Sequence, residues 1–164
     1  MSDKVQEVSQ AFPMSNIVIR PGDPRDPQAT ALLQASHALM QSLFSPEDNH
    51  FLSIDALCAS NIRFFVAEDD GALLGCVALA NQGDYGEVKS MFITPEARGT
   101  GIADLLMKRL IAEARAQALP AVKLETGDTL FAAHKVYARH GFVQCGPFGE
   151  YEDSPASIFM TRVV

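Results

Sequence analysis

The 164-residue chain predicts a mixed α/β fold with one sheet and helices covering its faces. Three observations predict it. Short β-branched runs alternate with longer stretches of helical period. Turn residues separate them, most clearly Asp69-Asp70-Gly71 between two apolar runs. The resulting order is strand, two helices, three strands, helix, strand, helix and two strands.

Residues 1–16 alternate polar and charged side chains and read as a flexible N-terminal tail; residues 17–164 then form a single domain. Met14 offers an alternative start. Ile17-Val18-Ile19-Arg20 is the first strand, stopped by Pro21-Gly22. A helix is expected over 27–44, with Asp26 as cap and Pro27 in the first turn. Its apolar face is Ala29, Leu32, Leu33, Leu39, Met40 and Leu43, and Ser45-Pro46 ends it. A short helix follows over 54–60. Residues 63–68 and 72–79 form a hairpin. A strand over 86–94 alternates, with Glu87, Lys89, Met91 and Ile93 on one face and Val88, Ser90 and Phe92 on the other.

Residues 101–119 carry the strongest helical signal. Ile102, Leu106, Leu110 and Ala114 recur every four residues, widened by Ala103, Met107 and Ile111. A strand over 121–126 precedes a helix over 129–140 that Gly141 closes as a left-handed cap. Lys135, Arg139 and His140 complement that helix's dipole. Residues 142–145 and 157–163 read as the final strands.

Apolar residues make up 48% of the chain, enough for a core without disulfide or metal staples. Cys58, Cys76 and Cys145 are far apart and odd in number, so each reads as a small core hydrophobe. No His/Cys/Asp cluster has metal-ligand spacing, and no metal is expected. No apolar run reaches the length of a membrane span, and no secretory segment precedes the first strand, so the cytoplasm is the expected location. The net charge of −7 disfavours a nucleic-acid partner and mildly favours a cationic one.

The chemistry concentrates in Pro95-Glu96-Ala97-Arg98-Gly99-Thr100-Gly101-Ile102-Ala103, between a strand and a helix. The glycines let the backbone turn tightly and approach a ligand. The helix start presents unpaired N–H groups and partial positive charge, a ready site for pyrophosphate, with Arg98 as an added cation. Alone, this spacing fits a plain strand–helix turn better. There is no Gly-Lys-Ser/Thr and no Gly-x-Gly-x-x-Gly.

Arg98-x-x-Gly101-x-Ala103 resembles the Gln/Arg-x-x-Gly-x-Gly/Ala signature of the GNAT acetyltransferase superfamily, and it follows a strand ending Met91-Phe92-Ile93-Thr94-Pro95. Ala133-x-x-Val136-Tyr137-x-x-x-Gly141-Phe142 resembles that family's second landmark. The resemblance implies a central, splayed, mostly antiparallel sheet. It implies an N-acetyltransferase that moves an acetyl group from acetyl-CoA to a primary amine, of a small molecule or a protein, by direct attack in a ternary complex. The backbone of Met91, Phe92 and Ile93 would pair with the pantetheine arm. Arg98, Gly99, Thr100, Gly101, Ile102 and Ala103 would hold the pyrophosphate. Tyr137 would protonate the leaving thiolate. One departure stands out: the slot seven residues before the tyrosine, often asparagine in the family, is Leu130.

An alkyl amine with a pKa near ~10.4 is almost wholly protonated at pH 7, and reaching the neutral form costs on the order of 4–5 kcal/mol. A base is therefore wanted. Glu87, at the start of the cofactor strand, is the expected one, at a position where many family members keep a glutamate acting through water. Pairing with Lys89 is its structural alternative. Glu125 either faces the site or caps the next turn. Residues 27–60 would line the acceptor side, with His37, Met40, Phe44, Glu47, Asp48, His50 and Phe51. A second class of reading is a catalytically silent acyl-CoA-binding sensor. The last strand, over 157–163, offers an edge for homodimer pairing.

Overall fold

The computed structural model describes residues 16–164, so residues 1–15 of the expected tail, with Met14, lie outside the described residues. The β-branched run of β1 (Ile17–Pro21) enters the sheet as an edge strand against β2 (Ile62–Asp69). Between them, α1 (Pro27–Leu43) starts where predicted: the Asp26 carboxylate accepts from the Ala29 amide and Pro27 occupies the first turn. The short helix α2 is one turn, Ile54–Leu57, capped by the Ser53 hydroxyl.

β2 and β3 (Ala72–Asn81) form the expected hairpin. Asp70 and Gly71 both take positive φ, 48° and 85°, as the primed two-residue turn requires. β4 (Gly86–Ile93) pairs antiparallel with β3. After a short 3₁₀ turn, Pro95–Ala97, comes α3 (Ile102–Ala116). β5 (Ala121–Gly127), α4 (Phe131–Arg139), β6 (Val143–Cys145) and β7 (Ser157–Val163) complete the chain.

The seven-stranded sheet has the order β1-β2-β3-β4-β5-β7-β6. Only β4 and β5 run parallel. This is the mixed α/β, mostly antiparallel architecture that the element order and the resemblance predict. The last strand is corrected in one respect. β7 is not an edge: it lies between β5 and β6, and its Phe159, Met160 and Thr161 pair on both sides. The edges are β1 and β6, which removes the basis for homodimer pairing through β7.

Two cores sit on opposite faces. The first joins the apolar stripe of α3 to Phe65, Val77, Leu79, Val88, Val122 and Leu124, and takes in Tyr137 of α4. The second joins Ala29, Leu32 and Leu33 of α1 to Phe64, Val66, Cys76, Ala78 and Phe92. Burial pushes the Cys76 thiol up to about 12, so it is inert packing, as its apolar neighbours predict. Leu110 is fully buried in the first core. Leu110→Ala is expected to cost about 2–5 kcal/mol through lost transfer energy and the cavity left behind. Thermal unfolding checks this, as a fall of roughly 2–4 °C per kcal/mol. Among the described residues, no helix is long and apolar enough to cross a membrane.

Candidate active site

The sheet opens where β4 meets β5. These strands pair only at Gly86 with Val122 and Glu87 with Lys123, then diverge. A cleft of about 710 Å³ fills the gap, bounded by β4, β5, the starts of α3 and α4, and the end of α1 with its following loop. From Val88 onward, the β5-facing edge of β4 has no strand beside it.

A β-bulge shapes this strand. Cys76 faces Phe92 and Ala78 faces Lys89, so Val77 opposes both Ser90 and Met91. Ser90 is the extra residue, at φ 57°, and its buried hydroxyl has no partner among the described residues. The bulge slips the side-chain phase by one. Val88 joins the α3-side core, and Met91 and Ile93 pack against it, while Phe92 belongs to the α1-side core. The expected single face of Glu87, Lys89, Met91 and Ile93 is therefore corrected. Glu87 and Lys89 point to the α1 side, Met91 and Ile93 to the α3 side.

The glycine turn forms as its sequence demands. Gly99 and Gly101 take φ of 78° and 90°, and Gly101 caps α3 without a side-chain acceptor, leaving the first-turn amides open. The Thr100 hydroxyl donates to the Ala97 carbonyl, tightening the turn. Arg98 folds back: its Nε donates to the Ile93 carbonyl at 3.1 Å, and its guanidinium lies 5.6 Å from the Phe92 ring centre. Of the predicted cofactor residues, Met91, Phe92, Ile93, Arg98, Gly99, Gly101, Ile102 and Ala103 line the cleft, and Thr100 does not.

α3 and α4 are tied at this end. Arg139 donates to Asp104 at 3.0 Å, and His140 Nε2 lies 2.7 Å from the same carboxylate. Burial alone would raise the Asp104 carboxyl, but these hydrogen bonds outweigh it and hold the group below its ordinary range. Arg139, in the last turn of α4 as expected, and His140 at its end thus also anchor that helix to α3.

Tyr137 is buried on the inner face of α4 and lines the cleft. Gly141, at φ 84°, ends the helix, and the Phe142 amide returns to the Tyr137 carbonyl at 3.1 Å. His134 Nε2 sits 2.8 Å from the Gly127 carbonyl, joining α4 to the end of β5. Burial, then the nearby Glu125 carboxylate, pushes the Tyr137 hydroxyl well above its ordinary pKa. Leu130, in the slot often held by asparagine, puts an apolar side chain on the cleft wall.

Glu87 and Glu125 part company. Glu87 is 3% exposed and does not line the cleft. Its carboxylate accepts from the Tyr151 hydroxyl at 2.5 Å and pairs with Lys89 at 3.1 Å. The Lys89 ammonium also donates to the Tyr151 oxygen at 2.7 Å and to the His50 carbonyl at 3.1 Å. Glu125 lines the cleft from β5, with one oxygen accepting from the Ser157 hydroxyl at 2.8 Å. Burial raises the Glu125 carboxyl above its ordinary range, against the Ser157 bond and the nearby His50 and Lys89.

Tyr151 was invisible to periodicity. It sits in the irregular connection after β6, where Phe148, Tyr151 and Phe159 pack edge to face and roof the α1 side of β5 and β7. The only sequence signal is an aromatic pair inside a Pro/Gly-containing loop. On the acceptor side, Met40, Phe44, Asp48, His50 and Phe51 line the cleft as expected. His37 instead stacks behind Phe51 at 4.2 Å, and Glu47 does not line it. Phe44 lies directly over Gly127, where any Cβ would collide with its ring.

Comparisons with known proteins agree with this geometry. A sequence model of the Acetyltransferase (GNAT) family matches residues 30–142. An "IAA acetyltransferase" from Azospirillum brasilense is 38% identical over 151 residues, covering 91% of this chain and 99% of its own. A Klebsiella pneumoniae crystal structure assigned as an acyl-CoA N-acyltransferase superposes with a TM-score of 0.75 at 27% identity, covering 90% of this chain and 97% of the other. A GNAT acetyltransferase from Elizabethkingia anophelis, crystallised with acetyl-CoA bound, shares the fold at a TM-score of 0.65 and 18% identity, over 91% of this chain and 99% of that one. The chain is an acyltransferase and belongs to the GNAT acetyltransferase family.

Proposed function

We propose that the protein transfers an acetyl group from acetyl-CoA to a primary amine, within a ternary complex and without a covalent enzyme intermediate. The observation that carries this reading is the convergence of Tyr137 and Glu125 on the gap between β4 and β5. The glycine turn of α3 lies on one side of that gap and the α1 chamber on the other.

The residues present fit acetyl-CoA. The open amides at the α3 start, near Gly99 and Gly101, suit the pyrophosphate, because partial positive charge and unpaired N–H groups meet there. The β5-facing edge of β4 at Met91, Phe92 and Ile93 offers backbone groups to an extended pantetheine arm. The same edge supplies N–H groups to polarise the thioester carbonyl. The acceptor enters from the α1 side and loses its ammonium proton to Glu125. The neutral amine then attacks the carbonyl; as the C–S bond breaks, the nitrogen gives up its second proton, Tyr137 donates a hydrogen bond to the departing sulfur, and CoA leaves as the thiol.

Glu125, rather than Glu87, takes the role of base here. Glu125 reaches the cleft, and its raised pKa makes it a stronger acceptor than an ordinary carboxylate. Glu87 instead holds Lys89 and Tyr151 in place. Membership of an acetyltransferase family favours turnover over a silent acyl-CoA sensor. The deciding experiment is acetyl-CoA turnover against a broad panel of amines, followed by thiol release. Thermal stabilisation by acetyl-CoA with no thiol from any amine would sink the enzymatic reading.

The cofactor half has its own test. Gly101→Ala forces a Cβ into a left-handed position, at a cost of about 1–2 kcal/mol to the turn. The expected result is about tenfold weaker acetyl-CoA binding by calorimetry, matching 1.4 kcal/mol. Unchanged affinity would move the pyrophosphate away from the α3 start.

A further inference from the structure

Resting on the transfer reading above, we infer that the acceptor is a primary amine on an aryl or bulky alkyl body that carries no carboxylate of its own. Two independent features of the α1 side point there: the chamber's walls and the state of Lys89.

The walls are apolar over four of the eight residues that α1 and its loop contribute, the others being Ser36, Asp48, Asn49 and His50. Leu39, Met40, Phe44 and Phe51 line that half of the cleft, and His37 stacks on Phe51 from behind, holding the ring in place. Phe44 is fixed in turn over Gly127. Rigid rings of this kind favour a flat or bulky apolar body through area and packing. A short polar amine would leave them uncovered.

The charges exclude an acid group. Lys89 is the lysine on this side of the gap, and an ammonium has three N–H donors. Two of those donors go to the Tyr151 oxygen and the His50 carbonyl, and the Glu87 carboxylate lies 3.1 Å from the ammonium as an ion pair. The buried Glu87 charge cancels the Lys89 charge, so the ammonium has no net charge to offer a substrate carboxylate. The other cations of the cleft, Arg98, Lys135 and Arg139, belong to the segments around the α3 start and α4. Glu125 and Asp48 remain as carboxylates facing the chamber. They complement an ammonium and repel an acid. Among the described residues lining the cleft, His50 is the histidine, packed 5.2 Å from Tyr151.

The test compares matched pairs on the full-length protein, with acetyl-CoA and thiol release as readout. Phenethylamine and tryptamine are set against phenylalanine and tryptophan, with ethylamine as the small control. The expected result is kcat/KM at least tenfold higher for each arylalkylamine than for its amino acid, and higher than for ethylamine. Equal or better turnover of the amino acids would overturn the inference and assign a carboxylate receptor, His50 or Lys89, to this side. Best turnover of ethylamine would overturn the apolar body. Phe44→Ala is expected to shrink the preference for phenethylamine over ethylamine; an unchanged ratio counts against the chamber. Thiol release with amino acids alone defeats this inference but leaves the transfer reading intact. No thiol with any amine defeats the transfer reading itself.

Discussion

Tyr137→Phe is expected to lower kcat by about 100-fold, the lower end of the range for a positioned acid or base, while acetyl-CoA still stabilises the protein. The hydroxyl keeps its proton at neutral pH because burial and Glu125 push its pKa up. The same shift makes it a reluctant acid toward a thiolate whose own pKa is near ~8.5. Its contribution is therefore hydrogen bonding to charge that develops on sulfur, worth about 2.7 kcal/mol for a 100-fold effect. Phenylalanine keeps the ring that packs edge-on to Phe142 at 5.9 Å, so the fold should be spared. Single-turnover kinetics and acetyl-CoA thermal shifts separate the two. Unchanged kcat would remove Tyr137 from the chemistry.

Glu125→Gln is expected to have the larger effect, about 10²–10³ in kcat/KM, because it removes the proposed proton acceptor. The base works as a carboxylate, and burial raises its pKa above the ordinary range. Activity should therefore fall as pH drops through that raised value, and the acid limb should disappear in the glutamine variant. Stability moves oppositely. A carboxyl whose folded pKa is raised favours the fold fully only below its unfolded pKa, and loses that contribution as pH rises through the folded value. At neutral pH the buried charge thus weakens the protein. Glu125→Gln should raise Tm at pH 7, with the gain fading in acid. Glu87→Gln provides the contrast. It strands Lys89 without its counter-charge, so it should lower Tm. If Glu87→Gln abolished the acid limb while Glu125→Gln kept it, the base would be Glu87 after all.

Elements with strong period were legible in the sequence, and for physical reasons. The α3 stripe and the Asp70-Gly71 turn are local signals, fixed by helical geometry and by positive φ. The glycine turn, Tyr137 and Gly141 were legible as motifs. What stayed hidden depends on contacts far apart in the chain. The bulge at Ser90 carries no glycine, so nothing in β4 itself announces the phase slip. The enclosure of Glu87 depends on Tyr151, 64 residues away in an aperiodic loop. The interior position of β7 follows from β6, a strand of three residues too short to assert itself.

The phase slip in β4 also has an evolutionary meaning. One extra residue at Ser90 lets a single strand turn Met91 and Ile93 toward the α3 core and Lys89 toward the acceptor loops. On the proposed reading, the cofactor and the acceptor then meet opposite faces of one strand. Under that reading, changes in α1 and in the loop bearing Tyr151 would retune the acceptor without touching the α3 start.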